Sequence, residues 1–471
     1  MLLIILFGFA LAGLAFPNQA ACGAATAWIK LHNAGVSHYG GAGEPVALAL
    51  DGRGNVYVAG YSLDSGWIDY TTLKYSPQGR RLWLRHYNYK SLDAPSAMAL
   101  DDRGNVSITG KSVSFGPYHD WYNSVTSTIK YNPDGKRLWA RHYDRPSDNP
   151  YYDDSWDEAR AIAVDSQGNI YVTGASWGGN TAHYDFLTIK YGPEGRRLWV
   201  RRYNSPLNVS EGARALAVDG QGNVYVTGGW GGGGAAGYLT IKYNTDGRLL
   251  WVRRYNGLGY DSDSAQAIAL DSQGNVYVTG YSHGIGSRSD YATIKYSPDG
   301  EELWVRRYNG PGNSVDEAVA IALDVQGNVY VAGSSVGIGT DVDYATIKYS
   351  PDGEELWAAR YNGPANGWDR ATAMALDAQG NVYVTGTSDG GGAIETMDWE
   401  YATVSYSPDG RQRWVMRYNR SENSWNEAKA IAVDGQGNVY VTGTSVRYGY
   451  VDPIDSFYVT IKYIQTPRTG R

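Results

Sequence analysis

A fourteen-residue phrase, Ala-Ile-Ala-Leu-Asp-Ser-Gln-Gly-Asn-Val-Tyr-Val-Thr-Gly at 267–280, recurs with small changes eight times along the chain. Its aspartate falls at Asp51, Asp101, Asp165, Asp219, Asp271, Asp324, Asp377 and Asp434. The spacings are therefore 50, 64, 54, 52, 53, 53 and 57 residues. Repeats of this length mean a solenoid, a propeller or an array, because each unit can bury its apolar face only against its neighbours.

Each repeat holds four strand-like runs, here called A to D. In the fifth these are 267–270, 276–279, 291–296 and 303–308, rich in β-branched and aromatic residues and punctuated by Gly, Pro, Asp and Asn. Asp271-Ser-Gln-Gly-Asn275 turns A into B, with the carboxylate capping the turn and glycine taking the left-handed conformation. Ser297-Pro-Asp-Gly300 turns C into D, proline presetting its φ. Eight recurring aspartates are thus turn caps rather than a metal ring.

Counting the ends decides between architectures. Run C occurs eight times, last at Tyr463, and the chain stops eight residues later without a final D. The missing piece sits at the other terminus, where Ala27-Trp-Ile-Lys-Leu-His-Asn33 lines up with 303–309. A ring needs its last unit completed by its first, and closure hides sheet edges that would otherwise invite aggregation. The expectation is all-β: a single eight-bladed β-propeller of four-stranded blades over 24–471. Blade cores fall near 46–88, 97–144, 161–204, 215–256, 267–309, 320–362, 373–419 and 430–463 plus 27–33. Small Ala-x-Ala residues place A innermost. Trp and Tyr place D at the rim, where pairs such as Arg201-Arg202, Arg253-Arg254 and Arg306-Arg307 fit a solvated edge strand.

The phrase at 267–280, followed by Asp290-Tyr-Ala-Thr-Ile-Lys-Tyr-Ser-Pro-Asp-Gly300, resembles the SBBP-type β-propeller repeat of prokaryotic exported and surface proteins. Runs A and B are also similar to NHL propeller repeats. The SBBP resemblance implies a propeller usually drawn with seven blades, and it implies no chemistry. Outer tryptophans after Asp-Gly-x-x-Leu-Trp resemble those of quinoprotein dehydrogenases, which use a vicinal cysteine pair; this chain has one cysteine, Cys22.

Residues 2–16 are an apolar run too short for a membrane span and right for a secretory signal, with small residues at 19–24 as the cleavage region. A signal peptide over 1–23 and an exported, secreted, periplasmic or surface location follow. Cys22 is either discarded with that leader or, at the end of a lipobox-like Ala-Ala-Cys-Gly, acylated to anchor an envelope scaffold. Net charge −7 argues against nucleic acid, and one cysteine excludes an internal disulfide.

The A–B and C–D turns share one face and are uniform; the D–A and B–C connections share the other and vary. Variable loops on a rigid scaffold carry binding. Of 16 tryptophans, eight belong to run D and eight fall in D–A or B–C connections: Trp67, Trp121, Trp156, Trp177, Trp230, Trp368, Trp399 and Trp425. Indoles there suit sugar rings or peptides, or pack between loops. The expected site joins two neighbouring insertions on blades two and three: Asp120, Trp121 and Tyr122 with Tyr151, Tyr152, Asp153, Asp154 and Trp156. Asp153, Asp154 and Asp157 are a candidate Ca²⁺ site by oxygen chemistry, without EF-hand spacing; no other cofactor is expected. The Gly228–Gly234 run reads as a flexible B–C loop. Seven scattered histidines give no zinc pattern, and no Gly-x-Ser-x-Gly elbow occurs. The chain therefore reads as a monomeric, non-enzymatic binding or adhesion protein for a glycan or polypeptide. A polysaccharide lyase or hydrolase using the acidic loops is the enzymatic alternative.

Overall fold

Strands B and C are buried on both faces, as in Val276–His283 and Ser289–Tyr296, so their sequence reads as nearly continuous β-branched and aromatic residues. Strand D, Glu302–Tyr308, buries Trp304 and leaves Glu302 and Leu303 exposed, as an outermost strand should. Strand A carries the alanines: Ala267 is fully buried, as is Ala47.

The computed structural model describes residues 22–36, 42–63, 67–115, 122–145, 156–178, 183–232, 235–257, 263–391, 398–421, 424–449 and 453–467. Among them are 32 strands and no helix. Consecutive quartets pair in the order A–B–C–D as antiparallel sheets. Six are separate four-stranded sheets. The remaining strands form one eight-stranded sheet, because a single parallel bridge, Trp399 to Trp425, joins two quartets. Isolated parallel bridges at Ile68–Leu92, Ser124–Trp156 and Ser289–Val315 likewise tie strand C of one sheet to strand A of the next. In the eighth quartet the outer strand is Cys22–Asn33, antiparallel to Pro453–Pro467, with Trp28 opposite Lys462 and Asn33 opposite Phe457. Of the candidate leader, residues 1–23, residues 1–21 lie outside the described residues, while Cys22 and Gly23 open the outer strand opposite Pro467 and Thr466.

Each A strand is bulged at the same place, between Ala265 and Ala267 in the fifth sheet and between Pro45 and Ala47 in the first. The bulge explains the glycine ending every Val-Tyr-Val-Thr-Gly phrase. A Cβ on Gly280 would stand 2.1 Å from the Ser264 carbonyl oxygen, and on Gly174 1.9 Å from that of Glu158.

The A–B turns are self-contained. Asp271 Oδ1 accepts the backbone N–H of Gln273 (2.9 Å) and Asn275 (2.8 Å); Oδ2 accepts Asn275 Nδ2 (2.7 Å) and the Tyr277 hydroxyl (3.1 Å). Gly274 sits at φ +82°, where an L side chain is strained. The same hydrogen bonds recur from Asp51 to Asp434, so the turn-cap expectation holds at both ends of the chain.

The D strands act across sheets. Trp304 Nε1 donates to the Pro351 carbonyl of the next sheet (3.1 Å), and its ring covers Gly353, where a Cβ would stand 3.0 Å away. Trp83, Trp139, Trp199, Trp251 and Trp357 make the equivalent bond, and Trp28 makes it to Pro77 of the first sheet (3.0 Å). The arginine pairs correct the expectation of a merely solvated edge. Arg306 Nε donates to the Gly353 carbonyl (2.5 Å), locking the neighbouring turn. Arg307 bonds the Ser282 and His283 carbonyls, Asp290 (2.8 Å) and the Tyr255 hydroxyl of the preceding sheet. A planar fork of donors suits a seam lined with carbonyls, which pattern-reading at the level of charge does not register.

Candidate functional site

The face bearing the D–A and B–C connections is built on two sets of acids. The first stands at the start of strand A: Asp93, Asp157, Glu211, Asp263, Asp316 and Asp369, with Asn426 at the equivalent position, all buried. Each acid catches backbone N–H groups of its incoming D–A connection, as Asp93 does those of Tyr89 (2.8 Å) and Lys90 (3.1 Å). Asp316 does the same to Gly310 N–H (2.6 Å). Burial raises the pKa of Asp93, Glu211, Asp316 and Asp369 above the usual carboxylate range. Asp157 is pushed up to about 6, chiefly by burial. The second set opens strand C and pairs with strand D: Asp185 with Arg202, Asp290 with Arg307, Asp343 with Arg360, Glu400 with Arg417. These acids fix loops and strand ends.

Of the expected ligand site, Asp120, Trp121, Tyr151, Tyr152, Asp153 and Asp154 lie outside the described residues. Tyr122 opens strand Tyr122–Tyr131, and the Ser124–Trp156 bridge lays that strand beside Trp156, whose ring has the Lys111 ammonium 5.5 Å from its centroid. Asp157, the third proposed Ca²⁺ ligand, is fully buried and accepts the Arg145 N–H (2.8 Å). Among the described residues no three His, Cys, Asp or Glu side chains cluster to hold a metal.

The loop tryptophans divide. Trp67 and Trp368 are about half exposed. Trp399 packs on Trp425 (5.4 Å between centroids) and Trp177 edge-on to Tyr184 (5.0 Å), so these seal neighbouring strands. Trp177, Trp230, Trp399 and Trp425 belong to strands rather than connections, because pairing runs past the apolar phrase at both ends. For the same reason the glycine run is strand rather than loop through Gly232; Gly233 and Gly234 lie outside the described residues. Strand Val224–Gly232 carries Gly228 to Gly232 and pairs on one side with Ala235–Tyr243.

That glycine-rich strand borders a cavity of about 230 Å³ on this face, spanning the third, fourth and fifth sheets. Its walls include Arg160 and Arg214 of two adjacent A strands, the half-buried phenols Tyr184 and Tyr281, and the carboxylates Glu211 and Asp263. Arg160 is held by Glu158. Arg214 forms no ion pair among the described residues; burial, then the neighbouring Arg160, lowers its pKa.

A match to a repeat family accords with this architecture. The family model SBBP, "Beta-propeller repeat", matches residues 157–180, 250–286, 303–338 and 421–445. Those four stretches of the chain match the SBBP repeat. The chain is a β-propeller repeat protein. It is 23% identical over 370 residues to "Uncharacterized WD repeat-containing protein L264" of Acanthamoeba polyphaga mimivirus, covering 63% of this chain and 25% of that protein. It is 26% identical over 188 residues to "Regulatory protein FlaEY" of Caulobacter vibrioides, covering 35% and 18%. The chain thus spans about a quarter or less of these curated relatives. Among solved structures it resembles Sqt1 from Chaetomium thermophilum (TM-score 0.47, 10% identity, 77% of this chain and 82% of that one). It also resembles the WD40 domain of SCAP from fission yeast (TM-score 0.40, 10% identity, 92% and 94%).

Sequence reasoning missed Arg160 and Arg214 because it sought aromatic loops. A signal was available in the SBBP repeats themselves. The cross-strand pair beside the bulge is Glu44–Tyr61, Glu158–Ala175, Ser264–Tyr281, Glu317–Ser334 and Glu427–Thr444 in five sheets, and Gly212–Gly229 in the fourth. Two missing side chains at one pair mark a hollow.

Proposed function

We propose that this is an exported, non-enzymatic binding protein whose 24–471 region forms a closed, monomeric eight-bladed propeller and whose ligand, a glycan or polypeptide, sits on the D–A/B–C face. One observation carries the reading: the two faces differ in kind. On the A–B/C–D face the turn aspartates cap their own turns and the C–D carbonyls take the neighbouring tryptophan and arginine, with the same residues recurring in copy after copy. On the other face the sheets depart from one another, and the cavity lies there. Closure is supported by Trp28 docking on Pro77, and by the A strand of the first sheet packing against that of the eighth. The side chains of Trp121 and Trp156 remain the proposed loop anchors on this face.

Glycan and peptide arrays probed with purified protein test it. A Trp121→Ala/Trp156→Ala variant should lose at least tenfold in affinity, since truncating an aromatic anchor costs about 2 kcal/mol or more. An Asp299→Lys/Asp352→Lys variant on the opposite face should bind normally. The reverse pattern would refute the choice of face, and release of reducing or unsaturated ends from a glycan would refute the non-enzymatic reading. Amino-terminal sequencing of the exported protein checks removal of residues 1–23.

A further inference from the structure

The cavity between the third, fourth and fifth sheets exists because of two substitutions in the repeat. At the strand A position just before the bulge, four sheets carry an acid: Glu44, Glu158, Glu317 and Glu427. Each holds a nearby cation. Glu158 takes Arg160, Glu317 takes Arg370 (3.6 Å), and Glu44 and Glu427 together take Lys429 (3.4 and 2.9 Å). The fourth sheet keeps the cation, Arg214, but replaces the acid by Gly212 and its cross-strand partner by Gly229. A Cβ on Gly212 would stand 2.8 Å from Arg160 Nη1, so that arginine lies across the space the missing side chain vacates. Two guanidiniums then meet at one hollow: Glu158 pairs with Arg160, and the wall carboxylates Glu211 and Asp263 accept the backbone N–H groups of Ser205 and Gly257, which leaves Arg214 without an ion pair among the described residues.

We infer that this cavity is a binding site for a carboxylate-bearing sugar, a uronic acid residue, whose carboxylate takes the place of the acid missing at Gly212 and bonds Arg214. The inference rests on the ligand face proposed above and names the chemistry of one site on it. Arginine offers a fork of donors matched to a carboxylate. The other walls fit a hydroxylated ring rather than an acidic peptide side chain. Glu211 and Asp263 retain lone pairs to accept sugar hydroxyls, and Ser210 and Ser264 add hydroxyls at the same walls. Tyr184 and Tyr281 supply aromatic surface. A volume of about 230 Å³ accommodates a single such residue.

The test uses the full chain in titration calorimetry with three probes: methyl β-D-glucuronoside, the uncharged methyl β-D-glucoside, and N-acetylglutamate. The glucuronoside should bind, and the neutral glucoside at least tenfold more weakly, the cost of a lost charged hydrogen bond. Arg214→Gln should weaken glucuronoside binding by tenfold or more. Gly212→Glu should do the same while leaving the thermal midpoint unchanged or raised, since it restores the ion pair found in other sheets. Equal binding of the glucoside, survival of binding in Gly212→Glu, or no glucuronoside binding at all would overturn the assignment. N-acetylglutamate binding as tightly as the glucuronoside would instead identify an acidic peptide and overturn the sugar. Suppose an array ligand is lost in Trp121→Ala/Trp156→Ala but indifferent to Arg214→Gln. The cavity assignment then fails, and the proposed face stands.

Discussion

Whether the amino-terminal strand latches a ring can be read from two matched tryptophans. Trp304 is 8% exposed, lies 6.0 Å from Tyr277 and 6.3 Å from Tyr349 between centroids, and has the Arg306 guanidinium 5.7 Å from its ring. Removing a large buried aromatic to alanine costs about 3–5 kcal/mol. The Pro351 carbonyl it leaves behind keeps Lys295 Nζ (2.9 Å), so the expected loss is at the lower end, about 3 kcal/mol. Trp28 makes the same set of contacts between the eighth and first sheets: Pro77 O at 3.0 Å, Tyr440 at 6.1 Å and Tyr75 at 6.4 Å. Lys462 again shares the carbonyl, at 3.5 Å. Trp28 is less buried, which reduces its expected loss to about 2 kcal/mol. Urea unfolding of wild type, Trp304→Ala and Trp28→Ala, followed by circular dichroism, gives midpoints and slopes. In a closed ring both variants lower the midpoint, because opening the seam frees two sheet edges at once. An unchanged midpoint in Trp28→Ala, beside a lowered one in Trp304→Ala, would refute closure.

Asp271→Ala removes an acceptor of four hydrogen bonds within one turn and should cost about 2 kcal/mol in urea unfolding without altering ligand binding. Arg307→Leu strands the buried Asp290 and should destabilise by about 3 kcal/mol; Arg307→Lys should recover less than half, since one ammonium cannot reach the carbonyls and the carboxylate together, as thermal melts would show. Asp157 protonates more readily folded than unfolded, so its contribution to stability is full below pH 3.8 and lost as pH rises through about 6, a difference of about 3 kcal/mol. His142, lowered to about 4 by burial and then by Lys90 and Arg141, acts in the opposite sense, destabilising as pH falls from 6.5. Asp157→Asn should therefore lose less stability than wild type between pH 4 and 7, and parallel curves would contradict the assignment.

The strand quartets, both turn types and the tryptophan belt were legible because each is written eight times, so one local explanation could be checked against seven others. Repetition also hid things. The arginine pairs recur so regularly that they read as a solvated edge, whereas Arg306 and Arg307 serve the seams on either side of their own strand. The tryptophans at 177, 230, 399 and 425 were misplaced into connections for a related reason. Apolar alternation marks only strand centres, and backbone pairing continues past it wherever the neighbouring sheet covers the ends. The proposed site at 120–122 and 151–156 drew on insertions that belong to single repeats, where no second copy exists to align. Nothing in the sequence pattern fixes their conformation.

The same reasoning inverts to give a way of finding sites in a repeated chain. A position that is constant in all copies satisfies a need common to all, such as the glycine facing the A-strand bulge, and so belongs to the fold. A position that varies freely answers to solvent. The informative case is a local need left unmet in one copy. Arg214 is such a case: its counterparts on other sheets, Arg160 and Lys429, are matched by carboxylates, and Arg214 faces the Gly212–Gly229 pair. Standing beside another guanidinium raises the free energy of the empty site, modestly because Arg214 is exposed to solvent. A ligand that supplies the absent charge lowers it by more than it would at a site already neutral, because the protein's own repulsion is relieved as well. The departure from the repeat is therefore where binding energy is available, whereas on the uniform face the turn aspartates and carbonyls recur with the same partners in copy after copy.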